Sequence, residues 1–471
     1  MNRTFLGPAT MVILYVMPLL LWANSAPLET RFVDTSTTLT SIGVLFGLAG
    51  VAGFAMNLIL GARLRFVETL FGGLERMYKA HRINGRVAFL LILTHGILIF
   101  ASRASVAMDA AIDLLTPESG WTVFLGPVAL VLMAISIVLT LYVRMGHEVF
   151  VYVQRSFGFI FLLASFHVFT TQGAKSSSRA LTVYMAALAL AGIAAWTYRS
   201  LFGNLLVRRH PYRVVLAVRR DESVTDIIMT PEEEPLRYTP GQFVFVNFRS
   251  LALSRQFHPL EVTTEAQSAV FSIRAGEVSN QFHPFSITSS PNDDELRITV
   301  KGVGDYTRAL RELEAGAKAI VEGPYGEFSH RKLPNRNQIW IAGGIGITPF
   351  LSMARSLGDD EELNADIYYA VETDEEALFL DELETIAARR EGMRVIPVVR
   401  EKVGYLSADK ISELSGGLQG RDIMICGPPA MLETLRAQLI SKGVSDERIH
   451  SEEFGFARRP ATRNRPAASP R

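Results

Sequence analysis

The sequence predicts a multidomain membrane protein: an all-α six-helix transmembrane bundle, then a β-barrel domain, then an α/β domain. Three observations predict it. Hydrophobic residues make up 49% of the 471, high for a soluble chain, and the excess lies before about Val207. Beyond Val207 the texture changes to short strands with charged turns and Pro/Gly punctuation. From Gln338 onward, strands alternate with helices, the pattern of an open parallel sheet. The resulting boundaries are 1–205 for the bundle, 206–333 for the barrel, 334–457 for the α/β domain and 458–471 for a disordered, basic, Pro-rich tail. A formal charge of +0 leaves no electrostatic footprint for nucleic acid. The single Cys426 excludes an intrachain disulfide.

The bundle is read from apolar runs at Leu6–Trp22, Ser41–Leu60, Arg86–Ser102, Trp121–Val143, Phe150–Thr170 and Ala180–Tyr198. Most approach the ~20 residues a helix needs to cross the hydrocarbon layer. The second and sixth are rich in Gly and Ala, as closely packed membrane helices are. Arg63, Arg65, Arg76, Lys79, Arg82 and Arg86 precede span three, and Arg199, Arg208, Arg209 and Arg213 follow span six. The loop between spans three and four carries only Asp109, Asp113 and Glu118. The positive-inside rule therefore puts the C-terminal half in the cytoplasm. Arg3, the short first run and Ala23-Asn24-Ser25-Ala26 would also suit a cleaved signal peptide. An uncleaved helix is preferred, and the remaining topology is the same either way.

His95 and His167 fall inside apolar spans, where an ionisable side chain is costly and marks a functional candidate. His81 lies at the cytoplasmic start of span three, 14 residues before His95. That spacing returns both to within about 40° of one helix face, with a rise of roughly 21 Å. Two ligands so stacked suit two haems, each held between imidazoles of two helices. Span five runs parallel to span three and supplies His167 opposite His95. Counting 13 or 14 residues back from His167 gives Gln154 or Val153, neither a normal haem ligand. His147 falls roughly on the opposite face from His167 and is read as a surface histidine. A lone intramembrane histidine more often satisfies a hydrogen bond in the bundle; the set, taken with the downstream motifs, is read as ligating.

The barrel is read from strand compositions at Tyr212–Val218, Phe243–Phe248 and Leu296–Val300, with few helix signals from Pro231 to Gly326. It contains His283-Pro284-Phe285-Ser286-Ile287-Thr288 and Gly304-Asp305-Tyr306-Thr307. Gln256-Phe257-His258-Pro259-Leu260 echoes Gln281-Phe282-His283-Pro284-Phe285, but lacks the following Ser-Ile-Thr-Ser; it is assigned to an inserted hairpin. In the α/β domain, Gln338–Ile341 runs into Gly343-Gly344-Ile345-Gly346-Ile347-Thr348-Pro349 and a helix over Phe350–Leu357. A strand, a glycine turn and a helix N-terminus form a phosphate cradle, and Pro349 suits the first helical turn. Strands follow at Ala365–Ala370, Arg394–Val399 and Arg421–Cys426. Cys426-Gly427-Pro428-Pro429 lies at a strand carboxyl end, where open α/β sheets bind ligands. Cys426 is expected to shape that pocket, not to act as a nucleophile.

Together these residues resemble the ferric reductase and NADPH oxidase superfamily, from about residue 40 to 457: a haem-binding six-helix domain joined to a ferredoxin-reductase-like FAD and NAD(P)H module. The resemblance implies FAD, one or two haems b, and NADPH or NADH. It assigns flavin contacts to His283, Pro284, Phe285, Ser286, Thr288, Lys301, Gly304, Tyr306 and Thr307, and likens Gly323-Pro324-Tyr325-Gly326 to a family turn. It assigns nicotinamide-nucleotide contacts to Gly343, Gly344, Gly346, Thr348, Pro349, Glu372, Cys426, Gly427 and Pro428, with Cys426 at the catalytic position. His81, His95 and His167 resemble three of the family's four haem-iron ligands. Phe454 and Phe456 are candidates to cover the flavin ring.

Two departures stand out. Gln154-Arg155 occupies the place of the family's His-Arg, so the simplest inner haem is five-coordinate on His81. After Ile367-Tyr368-Tyr369-Ala370, where NADPH-using relatives carry Arg, the chain reads Val371-Glu372-Thr373. A carboxylate there suits the ribose 2′-hydroxyl of NADH, with Arg400 and Lys402 placed to compensate. The implied activity carries electrons from NAD(P)H through FAD and haem to oxygen outside, in a cell membrane. The alternatives are a ferric or cupric chelate reductase and a haem module serving a partner protein; a homo-oligomer is the other partner expected.

Overall fold

The computed structural model describes residues 6–145, 147–171, 178–249, 257–265, 270–277, 282–358 and 361–453. Arg3, Gln256, Gln281, Phe454, Phe456 and the tail 458–471 lie outside the described residues. Among the described residues six helices are long and apolar enough to cross a membrane. They are α1 (Leu6–Ala23), α2 (Thr35–Gly61), α3 (Leu74–Ala104), α4 (Trp121–Tyr142), α5 (His147–Thr170) and α6 (Arg179–Trp196). The chain is a multi-pass membrane protein.

Asp34 starts α2 with a capping box, accepting from the Thr37 amide at 2.8 Å while the Thr37 hydroxyl accepts from the Asp34 amide at 3.1 Å. Small residues let the helices close up. A Cβ at Gly50 would stand 2.6 Å from Ile92 of α3, and one at Gly192 of α6 would stand 3.1 Å from Ala55 of α2. Helix α3 begins at Leu74, earlier than the apolar run at Arg86. Lys79, Arg82 and Arg86 are good helix formers that carry the helix beyond the hydrocarbon layer.

Contacts divide the chain into two units. One holds the chain up to Arg209 with Val246–His283 and Ile320–Tyr325; the other holds His210–Phe245, Pro284–Ala319 and the chain from Gly326. In the first, β1 (Val143–Met145) pairs in parallel with β6 (Val270–Glu277), which pairs antiparallel with β5 (Phe257–Glu265). The strand β5 contains the first His-Pro echo, so this echo does lie in a hairpin.

A six-stranded sheet has the order β7-β4-β9-β2-β3-β8. Its strands are β2 (Arg209–Arg219), β3 (Val224–Pro231), β4 (Phe243–Arg249), β7 (His283–Ser286), β8 (Leu296–Lys301) and β9 (Lys318–Tyr325). A bridge between Ile287 and Ile298 joins the two ends of that order, nearly closing the barrel.

The parallel sheet runs β12-β11-β10-β13-β14: β10 (Asn337–Gly343), β11 (Asn364–Val371), β12 (Met393–Val399), β13 (Asp422–Gly427) and β14 (Ile449–Glu453). Helices α7 (Thr348–Arg355), α8 (Leu380–Ala387) and α9 (Pro429–Ser441) accompany it. Alternation along β10 splits the core: Trp340 and Ala342 pack with Phe350, while Ile339 and Ile341 pack with Leu435.

Candidate functional site

The three candidate histidines share one device. Nδ1 of His81 lies 3.1 Å from the carbonyl of Asn57, that of His95 lies 2.7 Å from the carbonyl of Gly43, and that of His167 lies 2.9 Å from the carbonyl of Thr122. A carbonyl only accepts, so each Nδ1 carries the proton and each Nε2 is left with its lone pair. Among the described residues no hydrogen bond reaches those Nε2 atoms. His95 and His167 stand within electrostatic reach of each other.

Glycines make room for the rings. A Cβ at Gly47 would lie 2.8 Å from His95 Nδ1, and one at Gly126 would lie 2.7 Å from His167 Cε1. At Gly61 the nearest His81 atom would be 3.6 Å away, an ordinary contact. This donor set fits haem iron, which takes neutral imidazole nitrogen oriented by a bond at the other ring nitrogen.

At Gln154 the fit changes. Its Nε2 donates to Thr140 Oγ1 of α4 at 3.3 Å, and Thr140 Oγ1 donates to the carbonyl of Ser136 at 2.7 Å. His147 opens α5; its side chain lies outside the described residues.

In the barrel, β7 and the turn after it carry the flavin candidates. Phe285, Ser286 and Thr288 are buried, while His283 and Pro284 are half-buried. Ser286 and Lys301 make no side-chain hydrogen bond among the described residues, so their donors remain available to a ligand. Thr288 Oγ1 lies 3.4 Å from Thr299 Oγ1, where it can only accept, while Thr299 donates to Asp226 at 2.6 Å. Thr307 Oγ1 likewise accepts from the amides of Val303 and Gly304, both at 3.0 Å. It shapes the Gly304 turn from within, and Tyr306 beside it is buried.

In the α/β domain β10 pairs in parallel with β13 as far as Ala342 and Cys426, and a Cβ at Gly427 would lie 3.2 Å from Gly343. A Cβ at Gly346 would lie 2.2 Å from the Cys426 carbonyl, and one at Gly343 would lie 2.6 Å from Met431 Sδ. Gly344 has φ +53 with nothing within 4 Å, the left-handed turn that glycine permits. Thr348 donates its hydroxyl to the Ile345 carbonyl at 3.0 Å, closing the turn ahead of Pro349 and α7. Gly427 is buried and Pro428 exposed. The turn therefore fits a dinucleotide diphosphate, whose approach needs bare backbone and a helix N-terminus.

Cys426 ends β13 just before the Gly427-Pro428 turn. Its side chain is fully buried in the core with Ala342 and Phe350. Its contribution to the turn is the carbonyl that Gly346 packs on. Glu372 is exposed just past β11 and is ion-paired with Arg400, while Lys402 pairs with Asp374 at 2.6 Å.

Several residues were missed by sequence reasoning. Ser352 donates to the Ser289 carbonyl at 2.7 Å, and Arg355 Nη1 to the Thr288 carbonyl at 2.6 Å. Helix α7, which follows the glycine turn, thus holds the segment after β7. Elsewhere, the buried Glu322 of β9 accepts from Arg199 at 2.7 Å and from the Tyr325 hydroxyl at 2.9 Å. Burial acts to raise this carboxyl, but the charges of Arg199 and Arg63 outweigh it and hold it below the usual carboxylate range. Arg65 donates to the Gly323 carbonyl at 2.8 Å. No spacing rule announces such partners; only the Gly-Pro-Tyr-Gly motif marked the place.

Known proteins match in the same order. Residues 46–165 match the ferric reductase like transmembrane component family. Residues 209–277 and 270–329 match the FAD-binding domain family, and 340–437 the oxidoreductase NAD-binding domain family. The glycine betaine monooxygenase reductase subunit of Chromohalobacter salexigens is 26% identical over 264 residues, 52% of this chain and 64% of that protein. NADH-cytochrome b5 reductase 1 of Kluyveromyces lactis is 26% identical over 160 residues, 32% of this chain and 57% of that protein. The ferredoxin–NAD(P)(+) reductase component of the Ralstonia sp naphthalene 1,2-dioxygenase/salicylate 5-hydroxylase systems is 26% identical over 261 residues, 52% of this chain and 70% of that protein. The chain spans less than two thirds of the length of the first two.

Proposed function

We propose that this chain, which has the domain architecture of the ferric reductase and NADPH oxidase superfamily, carries electrons from cytoplasmic NAD(P)H across the cell membrane to oxygen, producing superoxide outside. The observation that carries this reading is the common orientation of His81, His95 and His167, each with Nδ1 spent on a carbonyl and Nε2 left to bind a metal. His95 and His167 would hold the outer haem between α3 and α5, and His81 would hold the inner one.

Bound nicotinamide, FAD and haem would together supply hydride transfer, its division into single electrons, and their passage across the membrane. The chain's own residues position these groups. Ser286 and Lys301 offer uncommitted donors to the flavin. The backbone from Gly343 to Gly346 and the start of α7 receive the dinucleotide diphosphate. Glu372 accepts from a ribose hydroxyl, which favours NADH. With the cytoplasm negative, outward electron movement gains about 2.3 kcal/mol per 100 mV.

Oxygen is favoured as acceptor because the loop between α3 and α4 carries only acidic charges, Asp109, Asp113 and Glu118. These repel an anionic metal chelate and are indifferent to a neutral gas. The test adds NADH or NADPH to purified protein without oxygen and follows the haem absorption bands. Haem should reduce, and superoxide should appear on admitting air. Reduction of ferric chelate in place of oxygen would reassign the acceptor; haem that stays oxidised would end the reading.

A further inference from the structure

Helices α2 and α3 repeat one contact at a fixed interval. His81 meets the Asn57 carbonyl and His95 meets the Gly43 carbonyl, a step of 14 residues on both helices. The outer contact on α4 and α5 is His167 with Thr122. The same step from there reaches Ser136 on α4 and Val153, beside Gln154, on α5. Like His167, Gln154 turns its side chain to α4.

What fills that place is a closed set of neutral hydrogen bonds. The Ser136 carbonyl, which would anchor an imidazole, accepts instead from Thr140 Oγ1 at 2.7 Å. Thr140 has one hydroxyl proton and has spent it, so toward Gln154 it only accepts. That fixes the carboxamide with its nitrogen toward α4, at 3.3 Å. Ser156 Oγ lies 3.4 Å from Ser136 Oγ and donates to the Val153 carbonyl at 2.8 Å. An amide nitrogen has its lone pair delocalised and is no substitute for imidazole at iron. Ser136, Thr140, Gln154 and Ser156 carry no charge, so this lining suits a neutral guest.

We propose that His81 alone holds the inner haem, and that the opposite side, lined by Gln154 and Thr140, is a binding site for a small neutral ligand of the carbon monoxide or dioxygen class. The proposal rests on the reading that these histidines hold haem. Its probe is carbon monoxide, titrated into the reduced full-length protein, with the ferric form examined by electron paramagnetic resonance. Two haems per chain are expected, one low-spin and unreactive, the other high-spin and binding one equivalent of carbon monoxide. Gln154→His should convert the high-spin species to low-spin and cut carbon monoxide uptake at least tenfold. His81→Ala should remove the reactive haem and leave the low-spin one, which decides the matter if Gln154→His does not fold. A single low-spin haem, or carbon monoxide binding that survives His81→Ala, overturns the proposal while leaving the outer haem intact. A chain purified without any haem overturns the underlying reading as well.

Discussion

Arg355 donates to the Thr288 carbonyl at 2.6 Å while its Nε and Nη2 grip the two oxygens of Glu382 at 2.6 and 2.8 Å. One guanidinium thereby locks α7, α8 and the turn after β7 into a single arrangement. Replacing it with alanine leaves FAD content near normal but misplaces donor against acceptor, since small displacements are costly in a transfer step. The Arg355→Ala variant should slow NADH-dependent flavin bleaching in stopped flow roughly tenfold. An unchanged rate would remove the coupling role.

Room for the rings sets the second expectation. At Gly126 a Cβ would stand 2.7 Å from His167, whereas at Gly61 it would stand 3.6 Å from His81. Gly126→Val should therefore lose outer haem and Gly61→Ala should keep both, as measured by haem extracted per chain. Equal haem in the two variants would contradict this reading.

Gly346 allows no side chain, because the obstructing atom is a backbone oxygen, 2.2 Å from the position of a Cβ. Gly346→Ala should destabilise the α/β domain by about 1–3 kcal/mol, the usual cost of overpacking, and abolish nicotinamide binding. Dithionite should still reduce the flavin. Retained flavin reduction by NADH would show that the turn is not the dinucleotide site.

The ion pair of Glu372 with Arg400 makes nucleotide choice adjustable. Glu372→Ala removes the carboxylate that opposes a 2′-phosphate and frees Arg400 to pair with it. The ratio of kcat/KM for NADPH over NADH should rise about tenfold, equivalent to ~1.4 kcal/mol. A ratio that does not move would place the specificity elsewhere.

Glu322 supplies the pH expectation. Its carboxyl is held below the ordinary range, so its stabilisation is complete above the unfolded pKa and lost only as pH falls through the depressed folded value. Glu322→Gln leaves Arg199 without its partner and should cost about 3 kcal/mol. In thermal melts the wild type should lose its advantage over this variant only in strong acid. An advantage that vanishes near neutrality would mean that Glu322 is not held below the ordinary carboxylate range.

Much of the fold was legible because its signals are local. Apolar length announced each span, alternation announced the barrel strands, and strand–glycine–helix punctuation announced the nucleotide turn. The start of span three was misjudged where Lys79 and Arg82 continue α3 ahead of the apolar run, since hydropathy reports the lipid layer and not the helix. Arg355 and Glu322 gave no warning, because their partners lie far along the chain and an isolated Arg or Glu looks like any surface charge. The site histidines were visible, but the carbonyls that orient them were not.

Those carbonyls belong to the main chain, and this has a genetic consequence. Changing Thr122 to another residue removes a hydroxyl and leaves the oxygen that orients His167 in place. The orientation of the ring is thus insulated from mutation at its anchor. At Gly43 the limit on drift is space and not the anchor itself, since a Cβ there would stand 3.0 Å from Ile99, and a comparison of side chains alone would overlook half of what holds each imidazole.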